Sequence, residues 1–121
     1  MGADVLVLGG GFGGWVAANE IRNALPEKHR VAVVDRSDSS CLGLSLLWLM
    51  TGERKADRIS RSFSSLERKG IFFVLGDMDR IDPQRREVVV GGKTLSGDYV
   101  VIALGAELAL GDALAKAWRS R

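Results

Sequence analysis

Asp4-Val5-Leu6-Val7-Leu8-Gly9-Gly10-Gly11-Phe12-Gly13-Gly14 is the stretch from which the rest of the chain is read. After Asp4 it is aliphatic with no polar alternation, as in a strand buried on both faces of a parallel sheet. Five glycines among the next six residues break that strand. Beyond them Ala17, Ile21, Ala24 and Leu25 recur at helical spacing, Asn19, Glu20, Arg22 and Asn23 face elsewhere, and Pro26 ends the helix. Val31-Ala32-Val33-Val34-Asp35 is a second buried strand. Strand, glycine turn, helix and strand in succession make a βαβ unit with a right-handed crossover.

Further along, Ser37-Asp38-Ser39-Ser40 reads as a turn-rich loop, and Leu42 to Met50 as a short buried helix or a lining segment closed by Thr51-Gly52. Ile59, Phe63 and Leu66 at i, i+4 and i+7 predict a helix from Ala56 to Lys69, bounded by Gly70. Ile71 to Leu75 is a third strand. After Gly76 come short strands divided by turns, Met78 to Ile81, Arg86 to Val90 and Lys93 to Leu95, the pattern of an antiparallel meander. Tyr99 to Leu104 returns to the buried-strand pattern and ends on Gly105. Glu107 to Arg121 could form one amphipathic helix, weakened by Gly111. The expected class is α/β: a Rossmann-like parallel sheet with a βαβ dinucleotide fold and a small antiparallel β-meander insertion.

The 121 residues are 46% hydrophobic and 26% charged, which bounds the chain to one compact domain. With 15 Gly, 2 Pro and no Gly-x-y period, collagen-like and Pro-rich disordered chains are excluded. Seventeen Lys and Arg against 15 Asp and Glu leave a net charge of +2, which does not imply nucleic acid. Only the stretch from Arg54 to Lys69 concentrates positive charge, and it reads as a solvated helix face. The start Met1-Gly2-Ala3-Asp4 fits no secretory signal, and the longest apolar stretch falls far short of the ~20 residues of a membrane span. A cytoplasmic chain is expected, with peripheral membrane contact left open. Cys41 and His29 are the only residues of their types, so neither a disulfide within the chain nor a convincing metal site can be built; Cys41 reads as a packed or incidental thiol and His29 as a solvated loop residue.

Gly9-x-Gly11-x-x-Gly14 has the spacing of a dinucleotide fingerprint. Gly9 permits the tight turn, Gly11 lets backbone approach a pyrophosphate, and Gly14 lets helix and strand pack closely. The helix N-terminus then offers its N–H groups and dipole to the phosphates. Context strengthens the motif, because a buried strand precedes it, a helix follows, and Asp35 closes the second strand 21 residues after Gly14, where a carboxylate accepts from a ribose hydroxyl. That acid also repels a 2′-phosphate, which favours FAD or NAD over NADP, although Arg36 stands next to it.

Gly9-Gly10-Gly11-Phe12-Gly13-Gly14, Asp35-Arg36, the segment Ser45 to Gly52, Lys69-Gly70-Ile71, Ile81-Asp82-Pro83 and the segment Asp98 to Glu107 together resemble the N-terminal part of the sulfide:quinone oxidoreductase and flavocytochrome sulfide dehydrogenase group. Type II NADH dehydrogenases are similar at greater distance. The glycine motif and the last segment are shared by all flavoproteins with two dinucleotide-binding domains; Leu46 to Gly52 suggests the narrower group. The resemblance implies that FAD is the cofactor, with Gly9, Gly11 and Gly14 at its pyrophosphate, Asp35 at the adenosine ribose, backbone near Met78 at the adenine, and Ala103, Leu104 and Gly105 as a second flavin-contacting turn; Gly10, Phe12, Gly13 and Arg36 are cofactor-binding candidates beside them. It also implies a flavin-dependent oxidoreductase whose complete members use quinone or NAD(P)H. The meander replaces a crossover helix in that superfamily, so FAD ranks above NAD. The segment around Trp48 is either core or a lining near the isoalloxazine. Family members are much longer, so the chain is expected to hold an FAD-binding unit over 1–106 and a tail over 107–121. An inactive fragment and a free-standing NAD-binding module are the rival readings.

Overall fold

The computed structural model describes residues 2–41 and 43–106. In chain order the elements are β1 (Asp4–Leu8), α1 (Phe12–Ala24), β2 (Arg30–Asp35), β3 (Ser39–Cys41), a 3-10 turn (Gly43–Ser45), α2 (Leu46–Met50), α3 (Ala56–Ile59), β4 (Ser60–Ser62), α4 (Ser64–Glu67), β5 (Ile71–Leu75), β6 (Met78–Asp82), β7 (Glu87–Val90), β8 (Lys93–Ser96) and β9 (Tyr99–Ile102). The predicted tail helix, and Leu42 of the predicted lining segment, lie outside the described residues.

A four-stranded parallel sheet, ordered β5-β2-β1-β9, carries the fold, and β6, β7 and β8 form a separate antiparallel meander. The α/β class is as the sequence predicts. The unbroken apolar run of β1 follows from burial on both faces, since successive side chains of a strand point to opposite sides. Val5, Val7, Val31, Val33 and Ile71 pack with Ala18 of α1, Phe63 and Leu66 on one side. Leu6, Leu8 and Val34 pack with Val88 and Val90 of the meander on the other. The meander is therefore the second covering layer of the sheet.

Three expectations are corrected. The stretch from Ala56 to Lys69 is no single helix: α3 and α4 are one-turn pieces separated by β4, which pairs antiparallel with β3. Ile59, Phe63 and Leu66 are buried as the periodicity requires. The serines between them bond locally instead of continuing a helix: Ser62 Oγ accepts from the Ser64 N–H at 3.3 Å and the Ser65 hydroxyl donates to the Ser62 carbonyl at 3.0 Å. The same pairing turns Ser39–Cys41, part of a predicted loop, into strand. On α1 the inner face runs Gly14, Ala18, Ile21 and Leu25, whereas Ala24 is exposed. Small residues let the helix sit close to the sheet, and Arg22 closes its end by donating to the carbonyls of Leu25, Pro26 and His29.

His29 is likewise not a solvated bystander. Half-buried, its Nδ1 accepts from the Ala3 N–H at 2.9 Å and ties the start of β1 to the α1–β2 turn. Beside it, Arg30 donates from Nε to Asp4 Oδ1 at 2.6 Å and from its Nη2 to Oδ2. This bidentate hydrogen bond, aided by the guanidinium charge, holds the Asp4 carboxyl below the usual carboxylate range. A carboxylate with a depressed native pKa stabilises the fold above its unfolded value and loses that contribution as pH falls through the native one. Asp4→Asn should therefore lower the urea midpoint slightly at pH 7 and leave it unchanged in acid, below the native value, so that the decline below about pH 4 is shallower; an unaltered acid limb would dissociate the pair from stability. Phe63, stacked on Phe73 at 4.5 Å and against Trp15 at 5.4 Å, joins α1 to β5. Phe63→Ala should cost about 3–5 kcal/mol in urea unfolding, and a loss below about 1 kcal/mol would contradict its central place.

Candidate functional site

At the carboxyl end of β1 the chain must leave the sheet at once and start a helix that crosses back over it. Gly9 does this with φ of 99°, and its N–H donates to the Val34 carbonyl at 2.8 Å. A side chain on Gly9 would strike the Ala103 carbonyl, and one on Gly14 would strike the Gly9 carbonyl. These two glycines serve contact between backbones. Gly11 differs, because a methyl group there would meet nothing within 4 Å. The space in front of it is open, at the N-terminus of a 13-residue helix that has no side-chain cap and no acidic residue in its first turn. The first N–H groups of a helix lack partners within it, so this end is built to receive negative charge.

Asp35 ends β2 beside that turn. Its Oδ2 accepts from the Gly10 N–H at 2.7 Å and its Oδ1 from the Ser37 N–H at 2.9 Å. Two carboxylate oxygens offer about four acceptor directions, so a ribose hydroxyl can still be received. The parallel register pairs Asp35 with Leu75, and the Gly76 N–H donates to the Asp35 carbonyl at 2.9 Å. The chain entering β6 at Asp77 and Met78 is thereby held next to Asp35. From the opposite side the Ala103 N–H donates to the Leu8 carbonyl at 2.8 Å, which seats the turn after β9 against Gly9.

The result is a groove of about 360 Å³ lined by Gly9, Asp35, Arg36, Asp77, Met78, Leu104, Gly105 and Ala106. It lies at the carboxyl ends of the strands where the order reverses, with β2 on one side of β1 and β9 on the other. That switch point is where open α/β sheets bind ligands. Of the residues singled out from sequence, Gly9, Asp35, Arg36, Met78, Leu104 and Gly105 come together there. Gly10, Gly11 and Ala103 adjoin these residues in the chain without lining the groove, Gly10 through its hydrogen bond to Asp35, and Gly13 and Gly14 lie on α1. Phe12 does not join them: it is exposed and faces another pocket, with Trp15 and Val16.

Phe63 went unrecognised as a support of the site. Its ring lies directly beneath Gly10, where any side chain would collide with it. Its only sequence signal was apolar spacing. Asp77 and Ala106 were also missed, although each adjoins a residue that was named. The segment from Leu46 to Met50 is not core in this chain: Leu47 is 64% and Met50 82% exposed. Among the described residues no group of three or more His, Cys, Asp or Glu converges on a metal-sized gap.

The site's parts fit a dinucleotide: an open, uncapped helix N-terminus for a pyrophosphate, a carboxylate for a ribose and a cleft beyond it for a base. The sequence profile of the pyridine nucleotide-disulphide oxidoreductases matches residues 3–112. The chain belongs to the pyridine nucleotide-disulphide oxidoreductase family. Members of this family are FAD-dependent, nucleotide-binding oxidoreductases. Sulfide-quinone reductase of Aquifex aeolicus is 34% identical over 115 residues, 92% of this chain and 26% of that protein. The crystal structure of the A. aeolicus sulfide:quinone oxidoreductase superposes with a TM-score of 0.83 at 31% identity, over 90% of this chain and 26% of the other. The NAD-dependent persulfide reductase of A. fulgidus follows at 0.77 and 28%, over 88% and 22%. The chain thus spans about a quarter of the length of these family members.

The two kinds of glycine separate in a direct comparison. Gly14→Ala should destabilise the fold by about 3 kcal/mol or more, because strand and helix must move apart. Gly11→Ala should cost about 1 kcal/mol or less. Equal losses in urea unfolding would refute the distinction.

Proposed function

We propose that residues 1–106 form the FAD-binding portion of a flavin-dependent oxidoreductase similar to sulfide:quinone oxidoreductase. The observation that carries this reading is the convergence of Gly9, Asp35, Met78 and Leu104-Gly105 on one groove beside the uncapped start of α1. When bound, FAD supplies hydride and two-electron chemistry that no side chain possesses. The chain's own part is to bind and orient. Backbone N–H groups from Gly11 onward hold the pyrophosphate without a Cβ in the way. Asp35, fixed by Gly10 and Ser37, receives the ribose hydroxyls of the adenosine and repels a 2′-phosphate, which sets FAD or NAD above NADP. Backbone at Asp77 and Met78 borders the adenine. The turn from Ala103 to Gly105, with φ of 71° at Gly105, would contact the flavin half of the cofactor.

The meander supports FAD over NAD in this reading, because it covers the sheet face that a crossover helix covers in a plain Rossmann domain. Quinone or NAD(P)H is the proposed exchange partner of the complete protein, in keeping with the relatives. Among the described residues no helix is long and apolar enough to cross a membrane, and the membrane relation proposed is peripheral.

Titration of the purified chain with FAD, NADH and ADP, followed by flavin absorbance and fluorescence, tests the reading. FAD should saturate and bind more tightly than NADH. Asp35→Ala should weaken it about tenfold, one charge-assisted hydrogen bond's worth, and Gly11→Val should abolish binding with an unchanged far-UV spectrum. No flavin absorbance and no saturation by FAD would overturn the proposal, and tighter binding of NADH would replace it by an NAD-binding module.

A further inference from the structure

The outer edge of β5 is bare. In the sheet order β5-β2-β1-β9 this strand has β2 on one side and, among the described residues, no strand on the other. The Gly76 N–H points inward to the Asp35 carbonyl. Backbone groups alternate in direction along an extended strand, so those of Ile71, Phe73 and Leu75 point outward, where no described residue bonds them. Natural proteins guard such edges with lysine, proline or a bulge. Ile71-Phe72-Phe73-Val74-Leu75 has none of these: it is apolar throughout and pairs with β2 without a register shift.

Both faces of this edge are open. Phe72 stands on the meander side, in register with Ala32, and Leu75 on the helix side, in register with Asp35; each is 59% exposed. Phe72 also walls a hollow of about 380 Å³ between the sheet and β8, with Leu6, Ala32, Val74 and Leu95. Charge is ordered along the strand as well, since Arg68 and Lys69 lead into β5 and Asp77 and Asp79 follow it. A two-fold axis normal to the sheet would set two copies of this edge antiparallel. The basic end of each then meets the acidic end of the other. Phe73 faces the same residue of the second copy and Ile71 faces Leu75, so the outward N–H and C=O groups find partners together. Phe72 comes to lie beside Val74 of the second copy, over the hollow.

We propose that β5 is a docking edge for a second copy of this chain, through which two four-stranded sheets join into one. The opposite edge lacks the charge order, because Asp98 precedes β9 and no charged residue follows it up to Ala106. A five-residue edge buries less than the roughly 1,600 Å² of a standard interface, so the dimer is weak and concentration-dependent. Its formation requires no FAD.

Sedimentation velocity of the purified chain at rising concentration, up to roughly millimolar, should show a monomer giving way to a dimer. Phe72→Lys should weaken the dimer at least about tenfold with an unchanged far-UV spectrum, because Phe72 belongs to neither core cluster. Phe72→Ser, which removes the apolar cover without adding charge, should weaken it less, and Tyr99→Lys on the opposite edge should leave it unchanged. Arg68→Glu/Lys69→Glu and Asp77→Lys/Asp79→Lys should each lose self-association and regain it when the two variants are mixed in equal amounts. A monomer at every concentration, a dimer that survives Phe72→Lys, or a dimer lost in a folded Tyr99→Lys would overturn the proposal. Failure of the two charge variants to combine would overturn it as well.

Discussion

The architecture depends on one close approach, the packing of α1 across β1 at Gly9 and Gly14. There the helix backbone comes so near the Gly9 carbonyl, just past the end of the strand, that no side chain fits between them. This contact fixes the helix over the central strand and leaves the helix N-terminus pointing out beyond the sheet edge. It also holds the turn after β9 against Gly9, since the same glycine is confined by the Ala103 carbonyl. Segments from the two ends of the described chain thus meet without a side chain between them.

Around that contact the structure separates support from reception. Phe63 props Gly10 from the core side, and Asp35 clasps the Gly10 N–H from the groove side. The carboxylate therefore both orders the turn and remains available to a ligand. Gly11, one residue on, has neither neighbour, and its backbone is left open. A binding turn whose conformation is set before the ligand arrives loses less ordering entropy on binding.

The irregular region between β2 and β5 is where local pattern misled. Ile59, Phe63 and Leu66 mark the buried positions correctly, yet a helical period and a broken chain can bury the same three residues. The β3–β4 pairing decides between them, and it is a contact between residues about twenty positions apart whose serines carry no periodic signal. The same pairing breaks what reads as a charged helix face into short pieces. His29 shows the effect on a smaller scale, since nothing in Glu27-Lys28-His29-Arg30 indicates that its ring will meet the Ala3 N–H.

The sequence alone determined the class of sheet, the place of the glycine turn and the identity of Asp35 as its acidic companion. Those features are local: the apolar runs, the glycine spacing and the strand end are each written within a few residues. The family likeness carried Met78 and the turn at Leu104 to the same site. Only the tertiary structure decided which glycine serves packing and which faces a ligand, that Phe63 is a prop of the site, and that β5 is left at the edge of its sheet. Each of those rests on distances between segments far apart in the chain, and such distances follow from strand order and layer packing, which no local pattern encodes.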